Sequence, residues 1–299
     1  MGRQKRKEYA FYAVLAGTFL LIAGAYGSGE KSVQQNAKEM GAVAEKAVAE
    51  PEYVPAVRLY AGIFTKLDGE EYAVIEKNKD ILVAAANRGY FDESDVYSFL
   101  QGPKSWGEGR AWSGEWSNQY VRGNYFGNFG CGLCCMANIY STFSGHTCSP
   151  WDMFLYAREV SGYTPTKKIG AIGWGDMKTV MRKCGFAELY TKPQDYETFR
   201  DQVRSAKSVV VLVSSHDDNT YWKKTGGHYV NISLYKEDTD EVFLADPADP
   251  DGNRNYIPLR YVYDALKTVS KYQYLLVNGY SEEQNQWKQD GIDEAWVAP

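Results

Sequence analysis

Apolar and polar positions alternate with two different periods along this chain, and the change of period divides it. From residue 131 the apolar residues Leu133, Met136, Ala137, Tyr140 and Phe143 recur at helical spacing. Gly145 stands where a helix would be capped. Further helical patterns cover residues 151–160, 176–184 (closed by Gly185) and 196–206. The strand period takes over after them. Residues 209–214 form a continuous apolar run, as a buried strand requires. Val230, Ile232 and Leu234 then alternate with Tyr229, Asn231 and Ser233. Residues 241–246 and 272–277 supply two more strands, and the polar connector 236–240 makes a hairpin of the pair around it. Helices first and antiparallel strands later predict an α+β domain over residues 117–280, followed by a polar tail at 281–299.

The pattern before residue 117 is less regular. Residues 28–50 carry a weak apolar stripe (Val33, Ala37, Met40, Ala44, Ala47 and Val48), ended by Pro51 and Pro55, which predicts a helical stalk over 28–56. A mixed accessory or pro-like segment at 57–116 follows. It holds a short element at 57–65, a helix at 70–87 stopped by Gly89, and a region in which Trp106, Trp112 and Trp116 alternate with small and charged residues. Those tryptophans either line a groove or pin a loop to the core, and the second is the commoner use.

The amino terminus bears on compartment. Arg3, Lys5, Arg6 and Lys7 precede residues 9–26, which contain no charged residue. Residues 1–27 therefore read as a signal anchor or a cleaved signal peptide, with Ala23-Gly24-Ala25 as the small-x-small site. Either way the remainder is expected outside the cytoplasm, tethered by a single helix or secreted. Loss of residues 1–25 removes four basic residues and one acidic one, moving the net charge from −5 to −8. A domain that acidic is a poor partner for nucleic acid.

Five cysteines, all between Cys131 and Cys184, leave at least one thiol unpaired; Cys148 with Cys184 is a conceivable bridge, and five reduced thiols are the alternative. Cys131 lies between Gly130 and Gly132 at the start of the first helix, where unpaired N–H groups and the helix dipole favour a thiolate. The glycines would let backbone approach a substrate carbonyl. Cys134 is the competing nucleophile on the same thiol logic. His228, after Gly226-Gly227 at a strand start, is the best base. If 236–240 is the turn, His228 falls opposite a position between 246 and 248, so Asp246 can orient it. His146 lies at the far end of the helix, and His216 sits in a polar loop. The segment 246–253 has oxygen ligands but not the spacing of a calcium loop, the cysteines lack a two-pair zinc spacing, and no cofactor is implied.

Gly-Cys131-Gly, Gly-His228-Tyr-Val and Phe-Leu-Ala-Asp246-Pro together resemble the double-glycine leader peptidases and their stand-alone relatives, within the papain-like superfamily. The resemblance implies a papain-like fold, a helical half carrying the cysteine and an antiparallel sheet carrying histidine and aspartate. It also implies a cysteine peptidase using Cys131, His228 and Asp246, with Gln119 completing the oxyanion hole. Leu133 stands where those relatives commonly have proline, and no transporter accompanies the domain. The expected partner is a peptide or protein substrate. A cell-wall peptide, cleaved or used in acyl transfer by the same residues, and an idle fold that binds such material are the alternatives.

Overall fold

The computed structural model describes residues 92–299 apart from 168, 169, 216–220 and 294. The signal segment, the stalk and the elements expected within 57–91 lie outside the described residues, as does His216. Residues 92–299 form a single compact unit. Among the described residues no helix is long and apolar enough to cross a membrane.

A six-stranded antiparallel sheet runs through its middle. In chain order its strands are β3 (Cys184–Thr191), β4 (Ser208–Val213), β5 (His228–Lys236), β6 (Glu241–Ala245), β7 (Asn255–Pro258) and β8 (Tyr274–Asn285). Their spatial order is β3-β8-β4-β5-β6-β7. A separate two-stranded hairpin, β1 (Tyr120–Val121) with β2 (Asn124–Tyr125), precedes the helices. The helices are α1 (Pro103–Gly107), α2 (Phe126–Phe129), α3 (Cys131–Phe143), α4 (Pro150–Ser161), α5 (Trp174–Lys183), α6 (Tyr196–Ser205) and α7 (Leu259–Asp264).

Each face of the sheet has its own core. Val210, Leu212 and Tyr229 join α3, α4 and α5 in one apolar cluster. Val209, Val211, Val213, Val230 and Ile232 join α6 and α7 in the other. A strand covered on both faces has no polar side, which is why β4 reads as an unbroken apolar run. Helix α3 is buried from Cys131 to Thr142. Its polar residues are bonded where they lie: Asn138 accepts from the Phe99 N–H at 2.8 Å and donates to Asn231 at 3.1 Å. Thr142 accepts from the Tyr97 N–H at 3.0 Å. Helix α4 opens with a capping box between Ser149 and Asp152 and closes at Gly162 with φ +75°.

The compact body is wider than residues 117–280. Phe99, Leu100, Trp112 and Trp116 belong to the helix-side core, and Trp296 packs against it. The tail, expected to be merely polar, hydrogen-bonds to this segment: Trp112 N–H to Val297 O at 2.7 Å, and Val297 N–H to Ser113 O at 2.9 Å. The tryptophans at 112 and 116 are anchors, with the Trp116 indole N–H donated to Leu100 O at 2.8 Å. The strand periods had not marked β3 or β7. β3 is a bulged strand at one edge of the sheet that bares Leu189, and β7 is a four-residue edge strand ending in proline. β8 runs on to Asn285, beyond the 272–277 expected, because its outer half pairs with β3.

Candidate active site

Three of the four residues singled out by sequence meet at one end of α3. Cys131 is the first residue of that helix, and Gly130 at its N-cap offers no side chain to satisfy the first-turn N–H groups. The flanking glycines are required by packing. A Cβ on Gly130 would lie 2.3 Å from the Phe126 ring, and one on Gly132 would lie 2.6 Å from Ile172 Cγ2. The small residues therefore let α3 begin tight against its neighbours, which fixes the direction of the Cys131 side chain.

His228 is the first residue of β5, and Asp246 follows the last residue of β6. Their register differs by two residues from a direct cross-strand pair. Asn231 lies opposite Ala245 and Ile232 opposite Leu244, which puts position 248 level with His228. Asp246 therefore reaches His228 diagonally, from the same face of the sheet. His228 Nε2 and Asp246 Oδ1 are 2.6 Å apart. The Ala248 N–H is donated to that same oxygen at 2.9 Å, so the residue level with His228 contributes its backbone instead. With Nε2 engaged, Nδ1 is the nitrogen left to act on the Cys131 thiol.

Sequence reasoning missed Trp222 and Asn253. The Trp222 indole N–H is donated to Asp246 Oδ2 at 2.7 Å. Asn253 accepts the Asp246 backbone N–H at 3.0 Å and donates to Ser98 O at 2.9 Å. Both carboxylate oxygens thus have fixed partners, and the carboxylate is 1% exposed. A tryptophan before Gly226-Gly227 was the available signal for Trp222. Nothing in the periodicity marks Asn253 beyond its Asp-Gly-Asn turn. The neighbouring acidic residues, weighed as calcium ligands, have protein partners: Asp251 pairs with Arg110, and Asp249 accepts the Asp251 N–H at 3.1 Å.

The electrostatics follow from this burial and pairing. Burial alone would push the Cys131 thiol up. The hydrogen bond and charge of His228, with backbone hydrogen bonds at Tyr229 and Gly132, outweigh it and bring the thiol below its ordinary value. Burial opposes an imidazolium at His228, yet the charge and hydrogen bond of Asp246, then those of Cys131, raise it. Burial also works against the Asp246 carboxylate, and His228, Trp222 and the Ala248 N–H hold it low. Cys134 and Cys135 behave oppositely: both are 0% exposed, and burial, then the nearby Cys131, push each thiol far up. Cys134, the competing nucleophile of the sequence, and its neighbour Cys135 are thus held as neutral thiols. No disulfide joins Cys148 to Cys184.

Gln119 enters through its backbone. Its carbonyl accepts the Phe126 N–H at 2.9 Å, closing the β1–β2 hairpin. The hairpin loops out residues 120–125 and returns the chain beside Gln119, so twelve positions of sequence shrink to the few between Phe126 and Cys131. His146 sits at the other end of α3, 3.1 Å from Glu282.

Such a fold, a cysteine at the head of a buried helix against an antiparallel sheet that presents histidine and aspartate, is that of the papain-like α+β proteins. Residues 116–287, more than half of the chain, match the Peptidase_C39 like family, and the chain belongs to that family of cysteine peptidases. Among solved structures, it is similar to the peptidase domain of Streptococcus ComA, a bi-functional ABC transporter involved in a quorum-sensing pathway. That match has 15% identity and a TM-score of 0.37, and covers 54% of this chain and 98% of the other. No curated protein matches the chain.

Proposed function

We propose that the protein hydrolyses peptide or isopeptide bonds through a Cys131–His228–Asp246 triad and a covalent acyl-enzyme. The observation that carries this reading is the imidazole of His228, held 2.6 Å from a buried carboxylate and bringing a buried helix-start thiol below its ordinary value. The resting pair is then thiolate and imidazolium. Cys131 Sγ attacks the amide carbonyl carbon, and the oxyanion is held by the Cys131 N–H and the Gln119 side-chain amide. His228 gives its proton to the departing amine, leaving a thioester. Water, losing a proton to His228, attacks that thioester and releases the carboxylic acid with the thiol. Asp246 keeps the imidazole oriented throughout and stabilises its charged form. None of these steps calls for a cofactor. Action outside the cytoplasm, by a tethered or secreted form, rests on the sequence of residues 1–26 alone.

The test is hydrolysis of a mixed peptide library by the purified chain. Cys131→Ala is expected to abolish cleavage, whereas full retention of it would sink the assignment.

A further inference from the structure

Three thiols occupy the first two turns of α3, and the mechanism uses only one. Cys131 and Cys134 are separated by Gly132 and Leu133, in a Cys-x-x-Cys arrangement at the amino end of a helix. That local chemistry supports thiol–disulfide exchange wherever the first sulfur is reachable and the second lies beneath it. Here Cys131 keeps 6% exposure at the site, and Cys134 has none. Residues three apart on a helix share a face with Cβ atoms about 5–6 Å apart. A disulfide wants about 3.5–4.5 Å. The shift needed is small and falls in the first turn, where the Cys131 amide has no intrahelical bond to lose. Cys135 is the competing partner, but its thiolate would form against the charge of Asp246 as well as that of Cys131. The thiols are also unequal in the useful direction, with Cys131 held low and Cys134 held high.

We propose that Cys131 and Cys134 form a reversible disulfide that switches the site off, made by peroxides and undone by dithiols. That it silences catalysis rests on Cys131 being the nucleophile; that it forms does not. The Cys131 thiolate attacks the peroxide, forming an S–O bond as the O–O bond breaks, and the hydroxide released takes the His228 proton to become water. The Cys134 sulfur then attacks the sulfenic sulfur. The S–S bond forms, the S–O bond breaks, and hydroxide leaves with the Cys134 proton as a second water. Two thiols are oxidised and one peroxide is reduced. Without Cys134 the sulfenic acid has no resolving thiol on this path and proceeds to the sulfinic acid, which dithiols do not reverse.

The experiment treats the full chain with hydrogen peroxide, blocks remaining thiols with iodoacetamide, and maps the cysteines by mass spectrometry without reduction. The expected peptide has lost two hydrogens between Cys131 and Cys134, and dithiothreitol restores both thiols together with peptidase activity. Cys134→Ala is expected to give sulfinic Cys131 that dithiothreitol leaves inactive, and Cys135→Ala to behave as the natural chain. Sulfinic Cys131 in the natural chain, or a disulfide that survives Cys134→Ala and is lost in Cys135→Ala, would overturn the proposal. Mapping needs no catalysis, so the two readings fail separately. A mapped disulfide in a chain that never hydrolyses peptides refutes only the proposed function. An active chain that forms none refutes only the switch.

Discussion

At the scale of single residues, the proposed activity depends on how firmly Asp246 is held. One carboxylate oxygen serves His228 and the Ala248 N–H, and the other accepts the Trp222 indole N–H. Trp222→Phe keeps most of the apolar surface and removes that donor. A hydrogen bond to a charged group contributes roughly 1.5–3 kcal/mol. Steady-state kinetics should therefore show kcat reduced about tenfold to a hundredfold, with KM nearly unchanged. The indole also helps hold the Asp246 carboxyl low, so the acidic limb of the rate profile should move to higher pH in the variant. An unchanged limb with reduced kcat would make Trp222 a packing residue only. The cluster of Cys131, His228 and Asp246 was legible because the chain has only five cysteines and three histidines, and the hairpin constrains His228 and Asp246. Its supports were not, since an indole and an asparagine have too many ordinary uses for sequence to pick these two.

At the scale of elements, the segment 96–101 braces the site from outside the family match. Phe99 bonds to Asn138 of α3, which bonds in turn to Asn231 of β5. Gln101 N–H is donated to Pro247 O at 2.8 Å, one residue past Asp246, and its side chain donates to Gly127 O at 2.7 Å. The strap thus ties the carboxylate loop to the turn before Cys131. Asn138→Ala strands the Phe99 N–H and the Asn231 side chain in a dry core, at a cost of about 2–4 kcal/mol, which urea unfolding will measure. Unfolding at the natural midpoint would contradict the bracing role. The elements around this strap divide by how much of their surroundings the sequence encodes locally. Helix α3 and strand β4 announced themselves because burial on every side demands long apolar runs. β3, with its bulge and bared Leu189, and the short β7 depend on pairing with distant strands. That dependence leaves no local period to read.

At the scale of the whole molecule, the compact unit begins at Asp92 and includes the last residues of the chain. Phe99 and Trp116 have no exposed surface, and Trp112 and Trp296 pack edge-to-face with Phe99, ring centres 6.0 and 5.8 Å away. Removing part of this cluster opens a cavity rather than an active site, at about 3–5 kcal/mol per large aromatic residue lost. A chain beginning at Asp92 should keep a cooperative unfolding transition by circular dichroism. One beginning at Ser113, expected to gain activity if residues 28–116 were an inhibitory segment, should instead lose both that transition and any activity. A folded, more active chain from Ser113 would contradict this core role and make residues 28–116 an inhibitory segment.

The central claim is that His228 turns a buried thiol into a nucleophile, and the pH dependence of Cys131 alkylation tests it most directly. Cys131 is held below its ordinary value and His228 above its own, so the thiolate–imidazolium pair exists between those limits. Below the window the thiol takes up its proton, and above it the imidazolium loses one. Iodoacetamide with peptide mapping should find Cys131 modified first, at a pH below that at which an ordinary thiol reacts, where Cys134 and Cys135 stay silent. In His228→Ala that early reactivity should vanish, because burial alone pushes the thiol up. A Cys131 rate that rises only in alkali, and does so equally in both chains, would contradict the account.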